Sequence, residues 1–266
     1  MSDTLRDWPI RPAAAGDFGG LIPLLPAPGQ GVPLLPPAAG DGGREWLLVA
    51  VRGPGEAVAG CVRVRRAIGL DRPRFWYHVG CAVHAAPGLE RFHRQRTLLL
   101  GNDLTGAWEI ADLACDTATI GLEAQGVLLR RLLRAALALI ARQRAMASPA
   151  VAGDPTVICE LPGLRDASGR SPFWQSLGRH FYDGDTLLAA ERFGPAWTTH
   201  VAALLPAEPL LVSFLTLEAQ AALSVPGHGA EPAARVLYEA GLRAGRHVTL
   251  DDAGPVYEGD LDLLGG

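Results

Sequence analysis

The sequence predicts a mixed α/β protein whose β-sheet carries helices on both faces, and three observations support this fold class. Hydrophobic residues make up 48% of the 266 positions, which is enough for a substantial core. Strand and helix patterns follow in the order of three strands, a short helix, two strands, a long helix, a strand, a helix and a final strand. Residues 121–144 form the clearest helix, because leucine and alanine recur there at helical spacing.

The N-terminal part predicts a short strand, a loop and a hairpin. Residues 8–12 are typical of a strand. Residues 46–51 and 58–65 are β-rich and flank glycine and proline residues that supply a turn, so they predict a hairpin. Proline recurs too often in residues 23–43 for a regular helix, and the apolar residues between the prolines favour an ordered loop packed on the body.

The remaining elements follow from the same patterns. Ser171 and Pro172 supply an N-cap and a proline at the first helical position, so a helix is expected over residues 171–177. Gly241 ends an expected helix over residues 231–240. Further strands are expected at residues 75–84, 97–100, 109–115, 157–161, 181–182, 247–250 and 256–260, and a short helix near residues 88–94.

Composition and charge exclude several classes of function. All 24 basic residues are arginines, which excludes a lysine Schiff base, a lysine general base and a P-loop lysine. The net charge of −4 argues against non-specific binding to nucleic acid. The most apolar helical stretch, residues 128–140, contains three arginines that would be costly in lipid. We therefore expect neither a nucleic-acid nor a membrane partner.

The cysteines and the N-terminus predict a cytoplasmic protein without a metal. The four cysteines have no close pair, as is typical of reduced thiols, and residues 1–11 lack the apolar run of a secretory signal. His78, Cys81 and His84 have a spacing that resembles a metal site. Residues three apart on a strand lie on opposite faces, however, so no metal ligands are predicted.

Two features could carry chemistry, although a structural role is the commoner explanation for each. The strand over residues 110–115 leads through a loop to the N-terminus of the long helix, where free N–H groups and the helix dipole can hold a diphosphate. His228 lies in a Pro-Gly-His-Gly loop just before a helix, and histidine is suited to proton transfer near neutral pH.

Other charged residues are interpreted structurally. Asp251 and Asp252 are expected to form a turn pair. Arg63, Arg65 and Arg66 are expected to lie on a solvated strand edge. The chain contains neither a Gly-x-Ser-x-Gly nor a Gly-x-Gly-x-x-Gly motif, so nothing supports a serine hydrolase or a dinucleotide-binding protein.

Four segments resemble arginine N-succinyltransferase, and the last is a long, nearly unbroken match. They are Gly-Leu-Asp-Arg-Pro from Gly69, Val-Gly-Cys-Ala-Val-His-Ala from Val79, Gly-Asn-Asp-Leu-Thr-Gly from Gly101 and Ser-Pro-Phe-Trp-Gln-Ser-Leu-Gly-Arg-His-Phe from Ser171. The resemblance extends over residues 10–262. The chain is therefore identified as a member of this family of GNAT-like acyltransferases.

The resemblance implies a fold, an activity and an assembly. The fold is a GNAT-like, largely antiparallel mixed sheet with a C-terminal helix–strand extension. The activity is transfer of a succinyl group from succinyl-CoA to the α-amine of arginine or ornithine in amino-acid catabolism, without a metal. One acyltransferase unit over residues 1–266 is expected, with a possible division into a core of residues 1–190 and an extension of residues 191–266. A homo-oligomer, or a hetero-oligomer with a homologous subunit, is also implied.

The resemblance also assigns site residues. His228 occupies the place of the family's proton-handling histidine. The family's phosphate loop, Arg-x-x-Gly-x-Gly, matches residues 121–126, where only the last glycine is retained, because Gly121 replaces the arginine and Ala124 the first glycine. The residues expected to contact CoA are Leu113, Ala124, Gln125 and Gly126.

These assignments imply a direct transfer in a ternary complex. Pantetheine would lie along the strand over residues 110–115, with its thioester carbonyl polarised by a backbone N–H near Leu113. Glu109, Asp103 and Asp112 could each attract a cationic acceptor, and the residues that bind it are unassigned.

Two departures from the family leave alternatives open. A helix that helps to cover the acceptor side is missing near Gly40, which favours an N-acyltransferase with another acceptor or acyl group. The altered phosphate loop also fits a weakened homologue that acts as the partner of an active subunit.

Overall fold

The computed structural model describes residues 8–24, 43–53, 57–147 and 154–264, and the sheet in this part of the chain has ten strands. The strands lie in the order β1-β2-β3-β6-β7-β10-β9-β4-β5-β8. They are β1 Ile10–Pro12, β2 Glu45–Arg52, β3 Ala57–Arg65, β4 Trp76–Ala86, β5 Arg91–Gly101, β6 Trp108–Cys115, β7 Thr156–Glu160, β8 Leu210–Leu211, β9 Arg243–Val248 and β10 Pro255–Asp260.

The helices of the described residues range from one to seven turns. They are α1 Phe18–Leu21, α2 Leu122–Met146, α3 Pro172–Ser176, α4 Thr186–Phe193, α5 Trp197–Ala202, α6 Leu217–Ala222 and α7 Glu231–Glu239. None of them combines the length and apolarity needed to cross a membrane.

The sheet is antiparallel except at one junction. Strands β6 and β7 run parallel, because α2 carries the chain from the end of one to the start of the other. Strand β10 pairs antiparallel with both β7 and β9, and β9 then pairs with β4. Strands from the C-terminal third of the chain therefore lie in the middle of the sheet.

Helices cover both faces of the first half of the sheet. Alternate residues of β2 point to opposite faces, so Leu47 and Val49 pack against Leu21 of α1, whereas Ala50 belongs to the core beneath α2. A stripe of fully buried leucines, which includes Leu128 and Leu132, holds α2 against the sheet. The predicted mixed, largely antiparallel sheet with helices on both faces is confirmed.

A second core lies on the other half of the sheet. Phe173 of α3 packs edge-on against Tyr77 of β4, with ring centroids 5.9 Å apart. The N-terminus of α3 forms as the sequence predicts, because the Ser171 hydroxyl accepts a hydrogen bond from the Trp174 N–H at 3.2 Å. Ala219 of α6 is fully buried in this second core.

Several local predictions were wrong. The expected helix near residues 88–94 is instead a 3₁₀ turn at Pro87–Leu89 followed by the start of β5, and the left-handed conformation of Glu90 completes this turn. The expected strand at residues 181–182 is absent, since the chain continues there from a 3₁₀ turn over Gly178–His180. Strand β9 starts four residues before the expected position. The expected loop over residues 23–43 lies mostly outside the described residues.

Candidate functional site

The parallel junction between β6 and β7 is closed at one end and open at the other. Trp108 pairs with Val157 and Glu109 with Ile158, and the ladder between these strands stops there. Beyond this point β6 stays paired with β3 as far as Cys115, while β7 stays with β10. We call the paired residues the closed end and the space between residues 110–115 and 159–161 the open end. The open end is a gap within the sheet in which the edge of β6 has no neighbouring strand among the described residues.

Buried ion pairs hold the closed end together. Glu109 is 2% exposed and accepts hydrogen bonds from Arg65 and Arg74, each at 2.8 Å. Burial by itself would raise the pKa of Glu109, but the two guanidinium groups outweigh it and lower this pKa to about 2. Arg74 also donates to Glu160 on β7 at 2.6 Å, and so links the two strands.

The arginines of β3 are not on a solvated edge as the sequence predicted. Strand β3 lies between β2 and β6, and Arg63 is 2% exposed. Arg63 donates from Nε to Asp112 at 2.6 Å and also pairs with Glu45. The prediction failed because the partners lie on strands that are distant in sequence.

Strand β6 contains a bulge at the open end. Cys61 pairs with Ala114 and Arg63 with Ala111, so two residues of β6, Asp112 and Leu113, oppose one of β3. Asp112 has a φ of +50°, which is a strained conformation for a residue other than glycine. Leu113 is half-buried against the core beneath α2. The bulge therefore changes the direction of the backbone at the residue that the resemblance assigns to CoA.

Helix α2 begins at Leu122, nine positions after Leu113 of the bulge. Gly121 is the N-cap and offers no side chain to the first turn, so helix geometry leaves the N–H groups of Leu122, Glu123 and Ala124 available to an anion. A Cβ atom placed on Gly121 would meet nothing within 4 Å. The exposed carboxylate of Glu123 opposes the binding of a phosphate at this position.

The other residues assigned to CoA differ in exposure. Gln125 is 5% exposed, and its side chain donates to the Ile120 carbonyl at 2.7 Å, which leaves no amide group directed at a ligand. Ala124 packs partly against the core. A Cβ on Gly126 would meet open space. The first turn can thus offer backbone groups but few side chains.

His228 lies at the same end of the sheet as the open end, because its loop rests on the chain that leaves β7. The Gly227 N–H donates to the Pro162 carbonyl at 2.7 Å. A Cβ on Gly227 would collide with the Gly163 carbonyl, and one on Gly163 would collide with the Asp252 carbonyl. Glycine at both positions lets three backbone segments stack, which fixes the base of the His228 loop while the ring itself is exposed.

His228 lines an open cleft of about 510 Å³. The other lining residues are Leu164, Arg165, Asp166, Arg170, Pro172 and Gln175. Sequence reasoning did not identify any of them as site residues, although Pro172 and Gln175 lie within the segment that resembles the family most strongly.

An ion-pair cluster supports one wall of the cleft. Arg165 donates to Asp251 at 2.5 Å and to Asp252 at 3.1 Å. Burial and the neighbouring Asp252 raise the pKa of Asp251 to about 7, against the effect of Arg165. The expected turn at Asp251 and Asp252 is confirmed, and it also carries the charges that hold Arg165 in place.

The three carboxylates suggested for the acceptor all have partners among the described side chains. Glu109 pairs with two arginines and Asp112 with Arg63. Asp103 contacts Nε2 of His247 at 2.8 Å, and Glu258 contacts Nδ1 of the same ring at 2.8 Å. Burial opposes these two contacts, yet they raise the pKa of His247. None of the three carboxylates is therefore a free acceptor for a cation.

The family of the chain follows from comparison with known proteins. A family model described as arginine N-succinyltransferase beta subunit matches residues 36–265. The chain belongs to this family. Its relatives include an arginine N-succinyltransferase from Enterobacter sp. (strain 638), 30% identical over 96% of this chain and 76% of the relative. Those from Salmonella paratyphi B and Salmonella newport are 33% identical over 78% of this chain, and the match spans 57% of their length.

A solved structure supports the fold. The chain is similar to subunit AI of the arginine/ornithine succinyltransferase from Pseudomonas aeruginosa, with a TM-score of 0.70 and 20% identity. The similarity covers 95% of this chain and 76% of that subunit. The predicted membership of an acyltransferase family is confirmed by these comparisons, whereas the roles of His228, Leu113 and the first turn of α2 remain predictions.

Proposed function

We propose that this protein is an N-acyltransferase that moves a succinyl group from succinyl-CoA to the α-amine of arginine or ornithine. The observation that carries the proposal is the open end between β6 and β7. A strand-like pantetheine chain could lie there, and the cleft around His228 lies at the same end of the sheet. The arrangement is GNAT-like, and residues 1–266 act as one unit in the cytoplasm.

The open edge of β6 supports binding of the donor. Pantetheine carries amide groups, so residues 110–115 can pair with it as they would with a strand. The bulge at Asp112 lies where the thioester would reach, and an N–H near Leu113 would polarise its carbonyl oxygen. The free N–H groups of Leu122, Glu123 and Ala124 at the start of α2 would hold the diphosphate together with the open surface at Gly126.

His228 would manage the proton of the acceptor amine. The ammonium group loses a proton to His228, directly or through water, and its nitrogen attacks the thioester carbon. The C–N bond forms and the C–S bond breaks, so the products are the N-succinyl amino acid and CoA, whose thiolate takes up a proton. The exposed ring on a fixed loop base suits this role, because it can reach a reactant without losing its position.

The cleft offers charges of both signs for the acceptor. Arg170 and Asp166 pair with each other at 3.1 Å, but their side chains are 66% and 46% exposed, unlike that of Glu109. Arg170 can therefore also meet a carboxylate, and Asp166 a guanidinium or ammonium group. An amino acid with a cationic side chain carries both of these groups. We therefore place the acceptor in the cleft rather than at Glu109, whose charge is already balanced.

A thiol-release assay tests the proposal. Purified protein is given succinyl-CoA with arginine, ornithine or a panel of other amines, and free CoA is measured. The His228→Ala variant should lose at least ~100-fold in kcat while CoA affinity changes little. His84→Ala, an exposed histidine on β4, is the control and should retain full activity. Wild-type turnover by His228→Ala would contradict the role of this histidine.

The same assay separates the alternatives. Release of CoA only with other amines or other acyl-CoA donors would show a changed specificity. The absence of both CoA release and a thermal shift with CoA would favour a partner subunit. This alternative has a physical basis, because Gly121 lacks the family's arginine and the carboxylate of Glu123 repels phosphate at the start of α2.

A further inference from the structure

The hairpin of β4 and β5 extends far beyond the rest of the sheet. Strand β4 pairs with β9 only at Tyr77 and His78, and β5 pairs with β8 only at Thr97 and Leu98. Residues 80–86 and 91–96 pair only with each other in the described part of the chain. We call residues 80–96 the arm. A two-stranded ribbon without further packing is at best marginally stable in water.

One face of the arm continues the face that is buried in the body of the protein. Tyr77 and Val79 of β4 belong to the second core, and alternation along the strand places Cys81, Val83 and Ala85 on the same side. The partners of these three residues on β5 are Arg96, Arg94 and Phe92. We call this set of six residues the bare face.

Helix α6 contacts the bare face near its base. Arg96 donates to the Gln220 carbonyl of α6 at 3.2 Å. Beyond it, Val83 is 54% and Phe92 60% exposed. The opposite face carries His84 and His93, which are polar and suit contact with water. The arm is thus amphipathic, and Val83 and Phe92 on its apolar side are each more than half exposed.

Charge complementarity indicates what covers the bare face. The arm contains three arginines and one glutamate, a net charge of +2, so the rest of a chain with a net charge of −4 carries −6. Two arms repel each other, whereas an arm is attracted to the body of another copy. The body also presents apolar side chains beside an acidic one near the base of the arm, since Phe214 and Leu217 are 84% and 78% exposed and Glu218 is exposed.

We propose that the arm is the dimerisation element of this protein, and that the bare face of each arm packs against the body of a second copy. The exchange is reciprocal, because a two-fold axis makes each copy both donor and recipient of an arm. The exchange buries Val83 and Phe92 of both copies, and so removes from water the apolar side chains that are exposed in the monomer. It does not depend on the proposed reaction, since no residue of the cleft or the open end takes part.

Analytical ultracentrifugation tests the proposal with a matched pair of variants. The wild type should sediment at micromolar concentration as a species of twice 28.1 kDa. Val83→Ser with Phe92→Ser should raise the dimer dissociation constant at least ~100-fold, since two large apolar side chains are lost from the interface. His84→Ser with His93→Ser changes the opposite face and should leave the dimer intact. Because all four side chains lie largely in water in the monomer, thermal unfolding should show that both variants remain folded.

Cysteine labelling gives a second readout that needs no variant. Cys81 lies on the bare face and is exposed, whereas Cys61, Cys115 and Cys159 are buried. A bulky maleimide should therefore react with Cys81 slowly in concentrated protein and rapidly on dilution or in high salt, which weakens the charge attraction. A wild type that is monomeric with fully reactive Cys81, or a dimer that persists in the Val83→Ser, Phe92→Ser variant, would overturn the proposal.

Discussion

The two ends of the β6–β7 junction differ in almost every physical respect. At the closed end the strands are hydrogen-bonded and Glu109 is buried between two arginines. At the open end the ladder is missing, the backbone of Asp112 is strained and the ring of His228 is exposed. The comparison indicates that the closed end supplies stability so that the open end can remain unpaired for a ligand. Substitutions at the closed end should alter stability, and substitutions at the open end should alter activity.

Glu109→Gln should have the largest effect, on stability. The substitution leaves Arg65 and Arg74 without the carboxylate that balances them in a buried place, and we expect a loss of about 3–5 kcal/mol in the free energy of unfolding. Urea denaturation measures it. Glu239→Gln is the control, because its partner Arg130 is 38% exposed and a surface pair contributes at most about 1 kcal/mol. Equal losses in the two variants would show that the closed end is not specially important.

The effect of Glu109 should depend on pH in a definite direction. The pKa is about 2 in the folded protein against an ordinary value of 4.5, so the stabilisation is present above pH 4.5 and is lost as the pH falls towards 2. The difference in unfolding free energy between wild type and Glu109→Gln should therefore shrink as the pH is lowered through this window. If this difference in unfolding free energy stayed constant between pH 7 and pH 3, the ionised carboxylate of Glu109 would not be the source of the stabilisation.

Gly227→Ala should lower both activity and stability. The added methyl group would collide with the Gly163 carbonyl and displace the base of the His228 loop. We expect kcat for thiol release to fall at least ~10-fold, because a misplacement of about 1 Å can cost more than that, and unfolding free energy to fall by about 1–3 kcal/mol. Gly19→Ala in α1, where a Cβ meets nothing within 4 Å, is the control and should leave activity unchanged. Full activity in Gly227→Ala would show that the loop position is unimportant.

Gly121→Arg should have the smallest effect, a gain in CoA affinity. The open space above Gly121 can accept an arginine, which would restore a charge-assisted contact to the diphosphate and offset Glu123. We expect the dissociation constant of CoA to fall about 10-fold, measured by calorimetry. An unchanged affinity would place the diphosphate elsewhere.

Local features of the fold could be predicted, whereas features that join distant segments could not. Helix α2 and the Ser171 cap depend on residues within a few positions of each other, and both were predicted. The burial of Arg63 depends on Asp112, 49 residues away, and Arg165 meets Asp251 across 86 residues. The turn at Pro87–Leu89 was mistaken for a helix, because a 3₁₀ turn and a helix start have similar sequence patterns.

The candidate site shows the same division. His228 and Leu113 were assigned through resemblance. Leu113 lies on the strand that borders the open end, and the loop of His228 lies at the same end of the sheet. The cleft residues Asp166 and Arg170 could not be found in the same way, because no short motif links them to a histidine that lies some sixty positions later in the chain.

Hydrogen–deuterium exchange with and without CoA tests most directly whether the open end is the binding site. The backbone N–H groups of residues 110–115 and of the first turn of α2 should exchange more slowly when CoA is bound, while those of the arm should not change. Protection confined to these two segments is the result that the structure predicts. Protection elsewhere, with unchanged exchange in β6, would contradict it.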